Sequence, residues 1–196
     1  MTKAARRRLL VVVGSVLVGG GLTALGWCGV SLARSYLYQV RETAVLNREI
    51  LTRPAQRLTN LRPEEGALLG SISIPRVGIY SVIAEGTDNR TLALGVGHIA
   101  GTALPGTSGN VALAGHRDTL FRGLRHLRDG DDILLTTAGG TALYEVASLR
   151  VVSPYDVGVL KDTGRPLLTL VTCYPFDYIG PAPKRFIVRA YRVGGD

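Results

Sequence analysis

The stretch TLVTCYPF, residues 169–176, holds a single thiol at the end of an apolar run. Leu167, Leu168, Leu170 and Val171 form the lead-in of a buried strand, and Pro175 stops that strand two residues past Cys173. Such a strand presents one reactive side chain at a surface. Outward from it, short runs of the same kind recur between turn signals, predicting strands over 68–74, 78–85, 110–115, 132–137, 141–153, 166–173 and 185–193. Gly139-Gly140 separates two of them and signals a hairpin. Short helices are expected over 88–94, 119–127 and 155–161. Val188, Ala190 and Tyr191 to Val193 do not alternate cleanly, which leaves the register of the last strand open. Seven or so short strands at this spacing predict a mainly β fold closed, or nearly closed, into a barrel. The sequence holds no internal repeat and no low-complexity tract.

Composition agrees: 46% hydrophobic and 19% charged residues are too apolar for disorder, and 25 glycines against three phenylalanines favour turn-rich β structure. The net charge of +8 raises the question of nucleic acid, but its placement answers it. Lys3, Arg6, Arg7, Arg8 and Arg34 supply five positive charges, and residues 35–196 hold 18 basic against 15 acidic side chains. A net +3 with no basic stripe among aromatics is an ordinary surface, and no nucleic-acid partner is expected.

Residues 9–33 run without a charge. As a helix, 25 residues reach about 37 Å, enough to cross a hydrocarbon core of about 30 Å. The run is longer than a cleavable signal's apolar region and continues into a helical pattern, so a retained anchor is expected. Basic residues crowd the N-terminal side, which predicts a cytoplasmic N-terminus and a domain on the outer side of the cell membrane. The expected organisation is a basic tail (1–8), a single-pass anchor (9–33), a stalk helix and Pro-containing linker (34–66), and a β domain (67–196).

The two cysteines, Cys28 in the apolar run and Cys173, make neither a disulfide framework nor a zinc site, so Cys173 reads as a free thiol. A free thiol outside the membrane is unusual enough to need a chemical reason. Of three histidines, His126 lies in a charged amphipathic turn and His98 reads as structural. His116 ends the apolar run NVALAG and is followed by Arg117-Asp118-Thr119, a polar strand end like that of Cys173. A strand-end histidine with no task remains the bland alternative. Arg185 opens the last strand 12 residues after Cys173, and antiparallel pairing would return it beside the thiol. An ordinary thiol, with pKa about 8.5, is only a few per cent ionised at neutral pH, so a neighbouring imidazole has work to do. The imidazolium can then protonate a leaving amine, and a guanidinium can bond a carbonyl oxygen as charge develops. These three are enough without an orienting carboxylate, though Asp118 and Asp177 stand nearby in sequence. Scattered histidines and the DGDD turn lack metal-ligand spacing, nothing argues for calcium at Glu85 or Asp88, and no metal or other cofactor is expected.

GHIAGTALPGTSGNVALAGHRDTLFRGL, TLVTCYPF and GPAPKRFIV together resemble the sortases, membrane-anchored cysteine transpeptidases of bacterial envelopes. The resemblance spans about 68–193, with His116, Cys173 and Arg185 in family order, 57 and then 12 residues apart. It implies an eight-stranded barrel and assigns His116, Cys173 and Arg185 as catalytic histidine, nucleophile and oxyanion-stabilising arginine. Thr172 matches a threonine that helps shape the substrate groove. CYPF and APKRF look most like class D, and no lid with an Asp-Pro-aromatic motif of the pilin-polymerising class is seen. The implied partners are surface proteins with a C-terminal LPxTG-like sorting signal, cleaved between Thr and Gly, and an amine acceptor of the cell wall or envelope. The rival readings are a thiol peptidase that only hydrolyses and a non-catalytic envelope binding module. Removing residues 1–34 is expected to leave a soluble domain active on soluble peptide. Loss of that activity would mean that the anchor does more than tether.

Overall fold

Eight strands form, seven of them from these runs, and a computed structural model describes the chain over residues 13–30, 33–34, 37 and 63–194. The chain divides into two compact units, Met1–Tyr38 and Gln39–Asp196. In the first, α1 (Val13–Val30) is a helix long and apolar enough to cross a membrane, and its side chains are exposed. Arg34 and Leu37 are helical, but the rest of the expected stalk and most of the linker lie outside the described residues.

In the second unit the strands are β1 (Leu68–Ile74), β2 (Ile79–Glu85), β3 (Val96–His98), β4 (Asn110–Ala114), β5 (Asp132–Thr137), β6 (Gly140–Val152), β7 (Leu167–Tyr174) and β8 (Lys184–Arg192). They close into a barrel in the order β1-β2-β3-β4-β7-β8-β6-β5. Closure depends on β6, whose 13 residues pair with β5 through Gly140–Glu145 and with β8 through Tyr144–Val152. A register shift between Val146 and Ser148 bends it from one partner to the other. The inward face packs Ile72, Ile83, Leu113, Leu135, Leu170 and Val188, none more than 1% exposed.

The seven expected strands appear within a residue or so of their predicted ends; the eighth, β3, is too short to show a period. It pairs parallel to β2 after the helix α2 (Asn89–Leu94), which Asp88 caps by accepting from the Arg90 and Thr91 amides. The Thr91 hydroxyl on the same carboxyl, above all, holds Asp88 below the ordinary carboxylate range. The other two expected helices are shorter 3-10 turns, Arg122–His126 and Val157–Leu160. The β5–β6 turn falls on Ala138-Gly139, one place earlier than the Gly-Gly pair, and Gly140 opens β6 at φ +117°.

β6 and β7 are parallel strands flanking β8, so the segment 153–166 must cross the outer face of the sheet. Three strands hold it there. Asn110 of β4 donates to the Val159 and Lys161 carbonyls, both at 3.2 Å, and Arg189 of β8 donates to Val159 O at 3.2 Å. Thr169 of β7 donates to Asn110 Oδ1 at 2.7 Å and is fully buried. The same cover explains the irregular pattern of β8, because Ile187 faces outward yet is 2% exposed. Thr169→Val keeps the shape and leaves Asn110 Oδ1 without its donor. It is expected to cost about 1–3 kcal/mol by urea denaturation; an unchanged midpoint would mean that the crossover is held by other contacts.

Candidate active site

Inward burial of Leu168, Leu170 and Thr172 turns Val171 and Cys173 to the outer face of β7, where Cys173 is half-buried at the strand's end. β8 returns antiparallel and sets Arg185 directly opposite Cys173, with Tyr174 opposite Lys184. The Arg185 guanidinium folds back on the connecting loop, Nη1 donating to Ala182 O at 3.2 Å and Lys184 O at 3.0 Å. On the other edge β4 runs parallel to β7 with Ala114 level with Val171. His116 follows two residues past that pair, beyond the end of β4, where Gly115 bonds Val171 and Thr172 of β7. Cys173 and Arg185 therefore face one another on adjacent strands, and His116 follows the end of β4, the neighbour of β7 on its other edge.

The His116 segment is pinned on both sides. Gly115 N donates to Val171 O at 3.2 Å, and the Thr172 hydroxyl donates to Gly115 O at 2.7 Å. Thr172 is thus 2% exposed and meets β4 rather than an open groove. Phe121 N donates to His116 O at 2.9 Å, and the fully buried Phe121 ring lies against Gly115. A Cβ on Gly115 would meet ring carbons at 2.7–3.0 Å, so only glycine lets the chain pass this close.

The loop between β7 and β8 is tied to the same region by two arginines that sequence reading left unassigned. Arg117 Nη2 donates to Tyr178 O at 2.6 Å and Gly180 O at 3.1 Å, with its guanidinium 5.9 Å from the Tyr178 ring centre. Arg125 Nη1 pairs with the Asp177 carboxylate at 3.1 and 3.2 Å and lies 5.2 Å over the Phe176 ring. Phe176 in turn packs edge-on against Tyr174 and Phe186. The signal for Arg117 was its place beside His116, but nothing in the sequence names backbone carbonyls 61 and 63 residues away as its partners. Of the carboxylates close in sequence to His116 or Cys173, Asp177 is engaged with Arg125 and Asp118 is exposed.

The remaining candidates fall elsewhere. His98 is buried, with Nδ1 at 2.6 Å from Glu85 Oε2 and Nε2 at 2.9 Å from Ala103 O and 3.0 Å from Thr102 Oγ1. Its ring ties β2 and β3 to the turn after β3, a structural task. His126 is exposed, and Cys28 lies on α1 in the other unit. Among the described residues no group of three or more His, Cys, Asp or Glu side chains gathers to hold a metal ion.

A β-barrel that places a lone thiol, a histidine-bearing strand end and an arginine on adjacent strands matches known proteins. A family model described as Sortase domain matches residues 72–193. The chain is 37% identical over 143 residues to Sortase D of Bacillus subtilis, covering 72% of each chain. It superposes on a Clostridium perfringens Sortase D5 transpeptidase with a TM-score of 0.70 at 29% identity, covering 80% of this chain and 99% of that one. A sortase C of Clostridium perfringens, solved with the C-terminal cell wall sorting motif, matches with a TM-score of 0.63 at 31% identity, covering 79% and 87%. The chain belongs to the sortase family. It is a cysteine transpeptidase of that family and resembles class D most. Gly115→Ala is expected to destabilise the domain by about 1–3 kcal/mol through overpacking against Phe121, read as a lowered urea midpoint. Shrinking the ring in Gly115→Ala/Phe121→Leu should recover part of that loss; no recovery would place the strain elsewhere.

Proposed function

We propose that Cys173 is the nucleophile, His116 the proton carrier and Arg185 the oxyanion donor of a transpeptidase that cleaves an LPxTG-like sorting signal. The supporting observation is the strand register that opposes Cys173 to Arg185 and runs β4 along the other edge of β7, ending two residues before His116. The Cys173 sulfur attacks the scissile carbonyl as a thiolate and forms a tetrahedral intermediate. His116 gives its proton to the departing amine nitrogen, the carbon–nitrogen bond breaks, and a thioester remains on Cys173. An envelope amine then attacks the thioester carbonyl, His116 takes the amine's proton, and the Cys173 thiolate leaves. Transfer and release conserve the acyl group, and no cofactor enters.

Arg185 has guanidinium N–H groups beyond the nitrogen engaged with Ala182 O and Lys184 O. Turning these toward a carbonyl oxygen on Cys173 supplies charge-assisted hydrogen bonds that strengthen as the oxyanion forms. Thr172 acts at one remove, through its bond to Gly115 O and hence through the position of His116. The wider reading adds a basic tail in the cytoplasm, an anchor over 9–33, a stalk and linker over 34–66, and a domain over 67–196 on the outer side of the membrane. The sorting-motif complex of the Clostridium perfringens sortase C supports the substrate class.

Incubation with an LPxTG-like peptide and a panel of amines, read by mass spectrometry, tests the reading. Wild type should give the Thr-acylated amine product and a trapped thioester on Cys173, while Cys173→Ala gives neither and stays folded. Turnover by Cys173→Ala would remove Cys173 from the mechanism. Product that is always the free acid, whatever the amine, would favour a hydrolysing peptidase. Arg185→Lys is expected to lower kcat about 10²-fold or more, the cost of one oxyanion donor; a near-normal rate would overturn that role.

A further inference from the structure

The outer face that carries Cys173 continues across three strands in rows set by the register. Val152, Arg185 and Cys173 make one row, Arg150, Ile187 and Val171 the next, and Ser148, Arg189 and Thr169 the third. The crossover 153–166 stands over the second and third rows, held by Asn110 and Arg189. Between it and the β6–β8 face lies a cavity of about 220 Å³, floored by Val152 and Ile187 and walled by Ser148, Arg150, Asp156 and Arg189. Val152 lies across from Arg185, and Ile187 two places along β8, so the cavity begins at the row of the Cys173–Arg185 pair and extends away from it.

The charges in this cavity do not cancel. Asp156 has Oδ1 engaged with the Gly158 amide, where it caps the 3-10 turn. Arg189 commits Nη2 to Val159 O, and Arg150 is exposed. Neither arginine forms an ion pair among the described residues. Two guanidiniums against one carboxylate, beside a serine hydroxyl and over an apolar floor, suit the methylene and carboxylate of an acidic side chain. Strands stand about 4.8 Å apart and alternate residues about 6.7 Å, so the cavity lies on the order of 10 Å from Cys173. An extended peptide covers that in about three residues.

We infer that this cavity is the subsite for an acidic side chain of the sorting peptide within three residues of the scissile bond, with Arg150 and Arg189 as its specificity determinants. The inference rests on the transpeptidase reading above and adds to it a preference that a generic sorting signal does not have. Cleavage draws its selectivity from a carboxylate that replaces water and counterions between two guanidiniums already placed by β6 and β8. Arg189 serves a second purpose, since the same side chain holds the crossover that walls the cavity.

The test uses the full-length protein in detergent and LPxTG-like peptides in which each of the three residues on either side of the scissile bond is Asp, Asn or Lys in turn. At one position the Asp peptide is expected to exceed its Asn counterpart in kcat/KM by about tenfold or more, as for a hydrogen bond to a charged group. That ratio should shrink as salt rises. In Arg150→Gln the Asp/Asn ratio should fall toward one, and in Arg150→Glu the Lys peptide should overtake the Asp peptide. A structural effect of Arg150 would slow all three peptides alike and leave the ratio where it was, which would overturn the inference. Equal cleavage of Asp and Asn peptides at every position by wild type would overturn it too, while leaving the transpeptidase reading intact. Failure of wild type to cleave any peptide of the panel would overturn both.

Discussion

β7 is hydrogen-bonded along both edges, to β4 from Asn110 to Ala114 and to β8 from Lys184 to Tyr191, and this double pairing sets everything at the site. Its period of two puts Leu168, Leu170 and Thr172 in the core and leaves Cys173 outside. A slip of one residue would turn the thiol inward and push a core leucine into water, so hydrophobic burial enforces the register that the chemistry needs. Because the barrel is closed, neither partner strand can shift without carrying its own neighbours along. Cys173 and Arg185 are thus held opposite one another by a constraint spread over the whole sheet.

The segments beyond the strands are fixed by local bonds to backbone rather than by a common core. Arg117 holds the β7–β8 loop by two carbonyls, Arg125 holds it through Asp177, and Asn110 with Arg189 holds the crossover by Val159 O. A guanidinium is suited to this because its several fixed N–H groups can satisfy loop carbonyls that no strand partner reaches. Gly115 adds a steric version of the same control: by lacking a Cβ, it lets Phe121 press on the chain just before His116. The result is one end of the barrel framed by two loops, one held from the segment that follows β4 and the other from β4 and β8.

Several features were legible because they are local. Pro175, the apolar run before Cys173 and the hairpin glycines mark strand ends within a residue or two. The uncharged run near the N-terminus contains α1, long and apolar enough to span a membrane. β3 escaped because three residues, Val96 to His98, show no period, and its pairing with β2 is set by the chain folding back after α2. Thr172 showed its identity but not its direction, since a threonine before a surface cysteine can face either way until the core claims it. Asn110 and Thr169 looked like ordinary polar breaks in apolar strands, although they bond one another under the crossover, 59 residues apart in sequence.

The amino-acid sequence by itself determined which residues have usable chemistry, where the strands run, and the family to which they belong. Those properties follow from side-chain type and from a spacing of a few residues. Only the tertiary structure decided that Arg185 lies opposite Cys173, that Arg117 holds the loop between them, and that Arg150 and Arg189 wall a cavity that extends away from that pair. These are meetings between residues far apart along the chain, fixed by the closure of eight strands into one barrel. No local pattern encodes such a meeting, because the partner is chosen by the register of the whole sheet.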